Sequence, residues 1–126
     1  MAELHPHFSL QLHSTDNPGA VLWNNKLVTT AIPVSHLAGK HAGEAAFVVA
    51  SGPSVNKLDI SPLERHLTFC VNGSFLKFKS KGFSPDYAVI CDAGFVSERW
   101  EIVQETIASD THCLFTPAVL SRICQL

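Results

Sequence analysis

The sequence lacks most of the features that would assign a chemistry at once. Its four cysteines, Cys70, Cys91, Cys113 and Cys124, contain no pair at C-x-x-C spacing, so no zinc or dithiol motif is spelled out. No apolar run approaches the roughly 20 residues that span a bilayer. The first seven residues lack the basic and then apolar order of a secretory signal. Charge is sparse: Asp, Glu, Lys and Arg make up 16% of the chain and the net charge is -2. That balance gives no general attraction to nucleic acid or to an anionic membrane. There is no G-x-x-x-x-G-K-[ST] and no G-x-G-x-x-G, which excludes a Walker loop and the dinucleotide fingerprint. There is no G-x-S-x-G nucleophile elbow, no internal repeat and no low-complexity tract. A cytoplasmic location is the default, and in a reducing compartment the cysteines stay unpaired. Cys70 and Cys91 lie inside apolar runs and read as small core residues.

What is present is a chain of 126 residues, 46% of them apolar, enough for one domain with its own core. Its organising stretch is Phe47-Val48-Val49-Ala50-Ser51-Gly52-Pro53-Ser54. Four apolar residues suit a strand buried on both faces. Glycine permits a tight bend or close approach of a ligand, and proline opens a helix at its first position. The stretch predicts a strand, a turn and then a helix or helical turn.

Residues 1–43 are read as an N-terminal extension. Alternation over Phe8 to His13 predicts a short edge strand, Asp16 to Gly19 a turn, Lys26 to Ile32 another strand, and Ala38 to Gly43 a linker. His5, His7, His13, His36 and His41 show no convergence, so surface histidines are expected rather than a metal site.

From residue 44 the pattern alternates. Strands are predicted over 45–50, 67–71, 87–91 and 112–115. A short helix is predicted from Pro62, where Ser61 and Glu64 have capping-box spacing. Another covers 74–81, with Phe75, Leu76 and Phe78 inward and Gly82 at its end. The clearest covers 97–108, capped by Ser97, with Trp100, Val103 and Ile107 at helical spacing. Pro117 opens the last, over 118–125. Strands alternating with helices argue for parallel strands joined by right-handed crossovers. The expected fold class is therefore α/β: a Rossmann-like open parallel sheet of about four strands with flanking helices over 44–126, plus the N-terminal extension.

In such a sheet the carboxyl ends of the strands share one edge, and ligands bind outside it. Ser51 and Gly52 follow the first strand, Asn72 and Gly73 the second, Asp92 the third and Thr116 the fourth. Asn72 can both donate and accept hydrogen bonds. Asp92 suits a ribose hydroxyl or a divalent metal held by phosphates. Pro53 has no N–H, so the first turn offers fewer donors than a phosphate-cradling loop. Ser54 has no evident base beside it; His66 and His112 are the histidines of this half.

Three segments then carry a resemblance: Val-Val-Ala-Ser-Gly-Pro-Ser-Val, Phe-Cys-Val-Asn-Gly and Ser-Pro-Asp-Tyr-Ala-Val-Ile-Cys-Asp. Over residues 45–120 the chain resembles a group of bacterial Rossmann-like glycosyltransferases. These are the CMP-sialic-acid-dependent sialyltransferases, the motility-associated factor proteins of flagellin glycosylation, and the transferases that add Kdo to the lipopolysaccharide core. Sialyltransferases tend to show Gly-Asn where this chain has Ala50 and Ser51. The resemblance implies nucleotide contacts from Ser51, Gly52, Pro53, Ser54, Asn72 and Asp92. It implies a CMP-sugar donor, a surface-glycan acceptor such as lipopolysaccharide, no further cofactor, and a cytoplasmic site of action reaching the inner-membrane surface. Family transferases are longer, with the catalytic base and acceptor site in a C-terminal part, so the resemblance implies a glycosyltransferase or its donor-binding portion, with the catalytic residues unassigned. Two alternatives stay open. One is a pyrophosphokinase resembling the archaeal hydroxymethylpterin type, which shares the Gly-Pro-Ser turn and uses ATP and magnesium. The other is a nucleotide-binding module without turnover.

Overall fold

The computed structural model describes residues 4–12 and 15–126. Its α/β core is a four-stranded parallel sheet of β4 (Ala46–Val49), β5 (Leu67–Val71), β6 (Tyr87–Ile90) and β7 (His112–Phe115), ordered β4-β5-β6-β7. Helices α1 (Phe75–Ser80), α2 (Ala93–Glu98), α3 (Trp100–Ala108) and α4 (Pro117–Cys124) complete the alternation. An antiparallel sheet of β1 (Phe8–Gln11), β2 (Ala20–Trp23) and β3 (Lys26–Thr30) precedes it. No helix of the described residues is long and apolar enough to cross a membrane.

The strand order runs in sequence, with no reversal. Consecutive right-handed crossovers then place every connection on the same face. The register agrees. Val49, Cys70, Ala88 and Cys113 form one cross-strand row, and Val48, Phe69, Tyr87 and His112 form the adjacent row, which points the other way. The helices cover the first face. Val49, Cys70 and Ala88 pack with Ile60, Phe75 and Phe78, while Ile90 packs with Val96, Val103 and Val119. On the second face Val48 is 67% exposed, and Phe69, Val71, Val89 and Leu114 are half-buried. Tyr87 is the buried residue there; its hydroxyl meets His41 Nε2 at 2.8 Å, and its ring stacks on Phe69.

Local chemistry explains where the elements begin and end. β5 and β7 coincide with the runs read from the sequence. Gly82, at φ +81°, follows α1 as expected. Within α1, Phe75 and Phe78 are buried, but Leu76 is 42% exposed. A six-residue helix turns only one face to the sheet, and Leu76 lies off it.

The 97–108 helix needs a larger correction. It is two helices, broken at Arg99 (φ −130°, ψ 46°). Ser97 caps nothing; it lies inside α2, whose cap is Asp92, with Oδ1 accepting from Gly94 N at 2.8 Å. Within α3 the buried pair is Val103 and Thr106, three residues apart, and Ile107 is 46% exposed. Thr106 tolerates burial because its hydroxyl donates to the Ile102 carbonyl at 2.7 Å.

The expected capping box at Ser61 is also absent. Residues Ser61–Arg65 form a 3-10 turn with Ile60 at its N-cap and no side-chain cap; Asp59, one residue earlier, accepts from Ser61 N at 3.0 Å. Hydrogen bonds from Ser61 hold the Asp59 carboxyl below its ordinary range.

In the N-terminal extension β1 ends at Gln11, and His13, part of the predicted strand, lies outside the described residues. The later strand is a hairpin. Asn24 and Asn25 both take positive φ, 51° and 63°, between the paired Trp23 and Lys26. This is the pair of left-handed residues that a two-residue hairpin turn requires. The sheet docks on α4, where Ser121 Oγ accepts from His5 N at 3.1 Å. His5 stacks on Trp23 and His7 meets it edge-on, and among the described residues no group of three or more His, Cys, Asp or Glu is placed to hold a metal ion.

The cysteines divide sharply. Cys70 is fully buried, and burial, reinforced by Cys113, pushes its thiol up to about 12. Cys91 is exposed, contrary to the core role expected of it. It falls one residue past the end of β6, where the chain has left the sheet. A thiol reagent at pH 8 should therefore modify Cys91 within minutes and leave Cys70 untouched until the protein unfolds. Rapid modification of Cys70 in folded protein would contradict this packing.

Candidate functional site

All four parallel strands end on one edge, and every site residue proposed from the sequence lies there. Ser51 follows β4 closely, Asn72 follows β5, Asp92 follows β6 and Thr116 follows β7. Ser51, Gly52, Pro53 and Ser54 are all exposed, and Asn72 is half-buried.

The first turn is less bent than its glycine suggests. Gly52 has φ −63° and ψ 155°, ordinary extended backbone, and caps a 3-10 turn at Pro53–Lys57. Pro53 stands at the first helical position, as read from the sequence. A Cβ at Gly52 would meet nothing within 4 Å. The local backbone therefore has no need of glycine here; what glycine provides is open space in front of the chain.

Asn72 is the strained member. Its φ of 51° lies in the left-handed region, which asparagine tolerates better than most residues but still at a cost. The fold holds it there through Ser74. This buried hydroxyl accepts from Val71 N at 2.9 Å and donates to the Val49 carbonyl at 2.6 Å. One side chain thus satisfies a backbone group of β5 and one of β4, and fixes the bend between them. The sequence does not reveal this role of Ser74, because a serine at the start of a predicted helix carries no sign of a strand-bridging bond. The available signal is a small hydroxyl directly after a strand-ending Asn-Gly.

Asp92 is exposed, and its Oδ1 is engaged as the cap of α2. Thr116 is likewise a cap, its hydroxyl accepting from Val119 N at 3.3 Å. These strand-end residues have structural duties, and Asp92 has a second carboxylate oxygen beyond the one that caps. The histidines of this half stand at the opposite edge: His66 precedes β5 and His112 begins β7. A strand of four or five residues separates them from Asn72 and Asp92, roughly 13–16 Å, so neither serves Ser54 as a base.

Two cavities, of about 450 and 310 Å³, lie away from this edge. The larger sits between α1 and α3, against Phe75, Phe83 and Ala108, beside the Lys79–Glu105 ion pair. The smaller is at the opposite edge, lined by His41, Glu64, His66 and Asp86 among others. Asp86 there accepts from Thr68 N at 2.9 Å and from the Thr68 hydroxyl at 3.3 Å. With the strands in sequential order, the described sheet has no order reversal to form a crevice.

Comparison of the chain with protein-family profiles, with curated proteins and with solved structures finds no match.

Proposed function

We propose that the carboxyl edge of the parallel sheet binds the nucleotide of a CMP-activated sugar, and that the chain is a glycosyltransferase, or its donor-binding portion, acting on a bacterial surface glycan. The observation that carries this reading is Asn72, held left-handed at the end of β5 by a buried hydroxyl. Strain of this kind persists where surrounding structure enforces it, and it concentrates at ligand sites. Gly52 adds to it, since its missing side chain leaves room that the backbone does not require. The three sequence segments resembling CMP-sugar transferases converge on this edge.

In the proposed chemistry an acceptor hydroxyl attacks the anomeric carbon, and the bond to the CMP phosphate oxygen breaks. A general base takes the hydroxyl proton. Asp92 carries the one carboxylate among the strand-end residues, and the reading assigns it to the ribose hydroxyls.

The test is thermal unfolding with CMP, UMP, ATP and ADP, each with and without magnesium. CMP at 100 times its dissociation constant should stabilise the protein by about 2.7 kcal/mol, with no need of magnesium. Asn72→Gly should keep or slightly raise the unliganded stability, because glycine relieves the positive φ, and should lose the CMP response. Stabilisation by ATP only with magnesium would instead support the pyrophosphokinase. CMP binding without transfer to any glycan acceptor would support a non-catalytic nucleotide module.

A further inference from the structure

The sheets of this protein have several edges, and natural edges are blunted by charge, bulges, proline or cover. β3 begins with Lys26 and pairs through a register shift at Val21 and Leu22. β7 is half-covered after its exposed first residue, His112. β4 has none of these protections. Residues 45–50 carry no charge and no proline, and the β4–β5 register is regular. Val48 is 67% exposed and Phe47 39%. Among the described residues no loop or helix hydrogen-bonds the backbone of residues 45–48 from outside the sheet.

We infer that β4 pairs antiparallel with β4 of a second copy of this chain, joining two four-stranded sheets into one of eight. An unpaired backbone edge specifies its partner's chemistry, which is an extended strand. Several features make a second copy fit. The edge is free of charge, so a two-fold pairing opposes no like charges. The pairing also leaves the apolar faces of both sheets on the same side. Directly opposed residues must point to the same face, so the two-fold passes through a residue and not between two. Val48, the more exposed, is that residue; Phe47 is already engaged edge-on with the His66 ring at 5.3 Å. Val48 then faces Val48, and Ala46 faces Ala50. Residues 44 and 45 of each copy come to lie alongside the Ser51–Gly52 turn of the other.

Sedimentation of the intact protein up to about 200 µM should show a concentration-dependent dimer, in the range of a modest interface. Val48→Lys, at an exposed position, should leave the fold intact and the protein monomeric. A second measurement fixes the register. In a Cys91→Ser background, Val48→Cys should give a disulfide-linked dimer when an oxidant is added, since opposed Cα atoms lie about 4.5–5.5 Å apart. Ala46→Cys should not, because the two copies of residue 46 would be about 14 Å apart. A wild-type monomer at the highest concentration, a dimer that survives Val48→Lys, or equal cross-linking at positions 46 and 48 would each overturn the proposal. None of these results depends on nucleotide binding.

Discussion

Truncating Phe78 to alanine should lower the unfolding free energy by about 3–5 kcal/mol. Phe78 is fully buried, the largest side chain so enclosed, and its ring meets Phe83 edge-on at 5.3 Å. With Phe75 it fastens α1 to Val49, Cys70 and Ala88 of the sheet. The surrounding residues belong to three strands and cannot collapse into the space without shifting the sheet, so both transfer and cavity contributions count. Domains of this size have about 5–15 kcal/mol in all. The loss should appear as a large fall in the urea midpoint with little change in slope. A shift below about 1 kcal/mol would mean that α1 is not packed as described.

Removing the Ser74 hydroxyl should cost about 2–4 kcal/mol, far more than its few atoms would suggest. The alanine variant leaves Val71 N without its acceptor and the Val49 carbonyl without its donor, at a position that is almost wholly enclosed. Each orphaned backbone group carries its own desolvation penalty. The variant should also free Asn72 to leave the left-handed region. Loss of stability and loss of CMP response should therefore appear together in Ser74→Ala, whereas Asn72→Gly should separate them. Urea unfolding of both variants, alone and with CMP, makes the comparison. A Ser74→Ala protein of wild-type stability would show that the bridge carries no weight.

These two residues also mark what the sequence made legible. The alternation of strands and helices from residue 44 was readable because the parallel strands are apolar runs bounded by Ser-Gly-Pro, Asn-Gly and Thr-Pro; β4, expected to be buried on both faces, is instead an edge strand buried only at Val49. Phe78 was readable for the same reason, as an apolar residue in a lysine-rich helix. The break at Arg99 was not, because no proline or glycine signals it. Trp100, Val103 and Ile107 all lie beyond the break, in α3, so their spacing is silent about it, while the cap that starts α2 is an aspartate assigned to ligand binding. The Asn24-Asn25 turn is hidden in the sequence because the strands it joins are short, and the second of them, β3, is exposed throughout and has no apolar face to set its period. Cys91 misled because an apolar run does not show where its strand ends. At the candidate edge the strand-end residues were legible, since polar residues stop apolar runs. Their conformations were not: Gly52 is extended and Asn72 left-handed, the reverse of what residue type alone suggests. The sequential strand order, which leaves one sheet face without helices, depends on long-range pairing that local patterns do not encode.

The most direct test of the proposed nucleotide site is to map CMP onto the backbone amides by NMR, with the protein isotopically labelled and the ligand titrated in without magnesium. The account predicts perturbations centred on Ser51, Gly52, Ser54, Asn72, Asp92 and Gly94, all at the carboxyl edge of the sheet, and their disappearance in Asn72→Gly. Perturbations confined to His41, Arg65 and His66 at the opposite edge, or to the groove between α1 and α3, would contradict it. So would a spectrum unchanged by millimolar CMP.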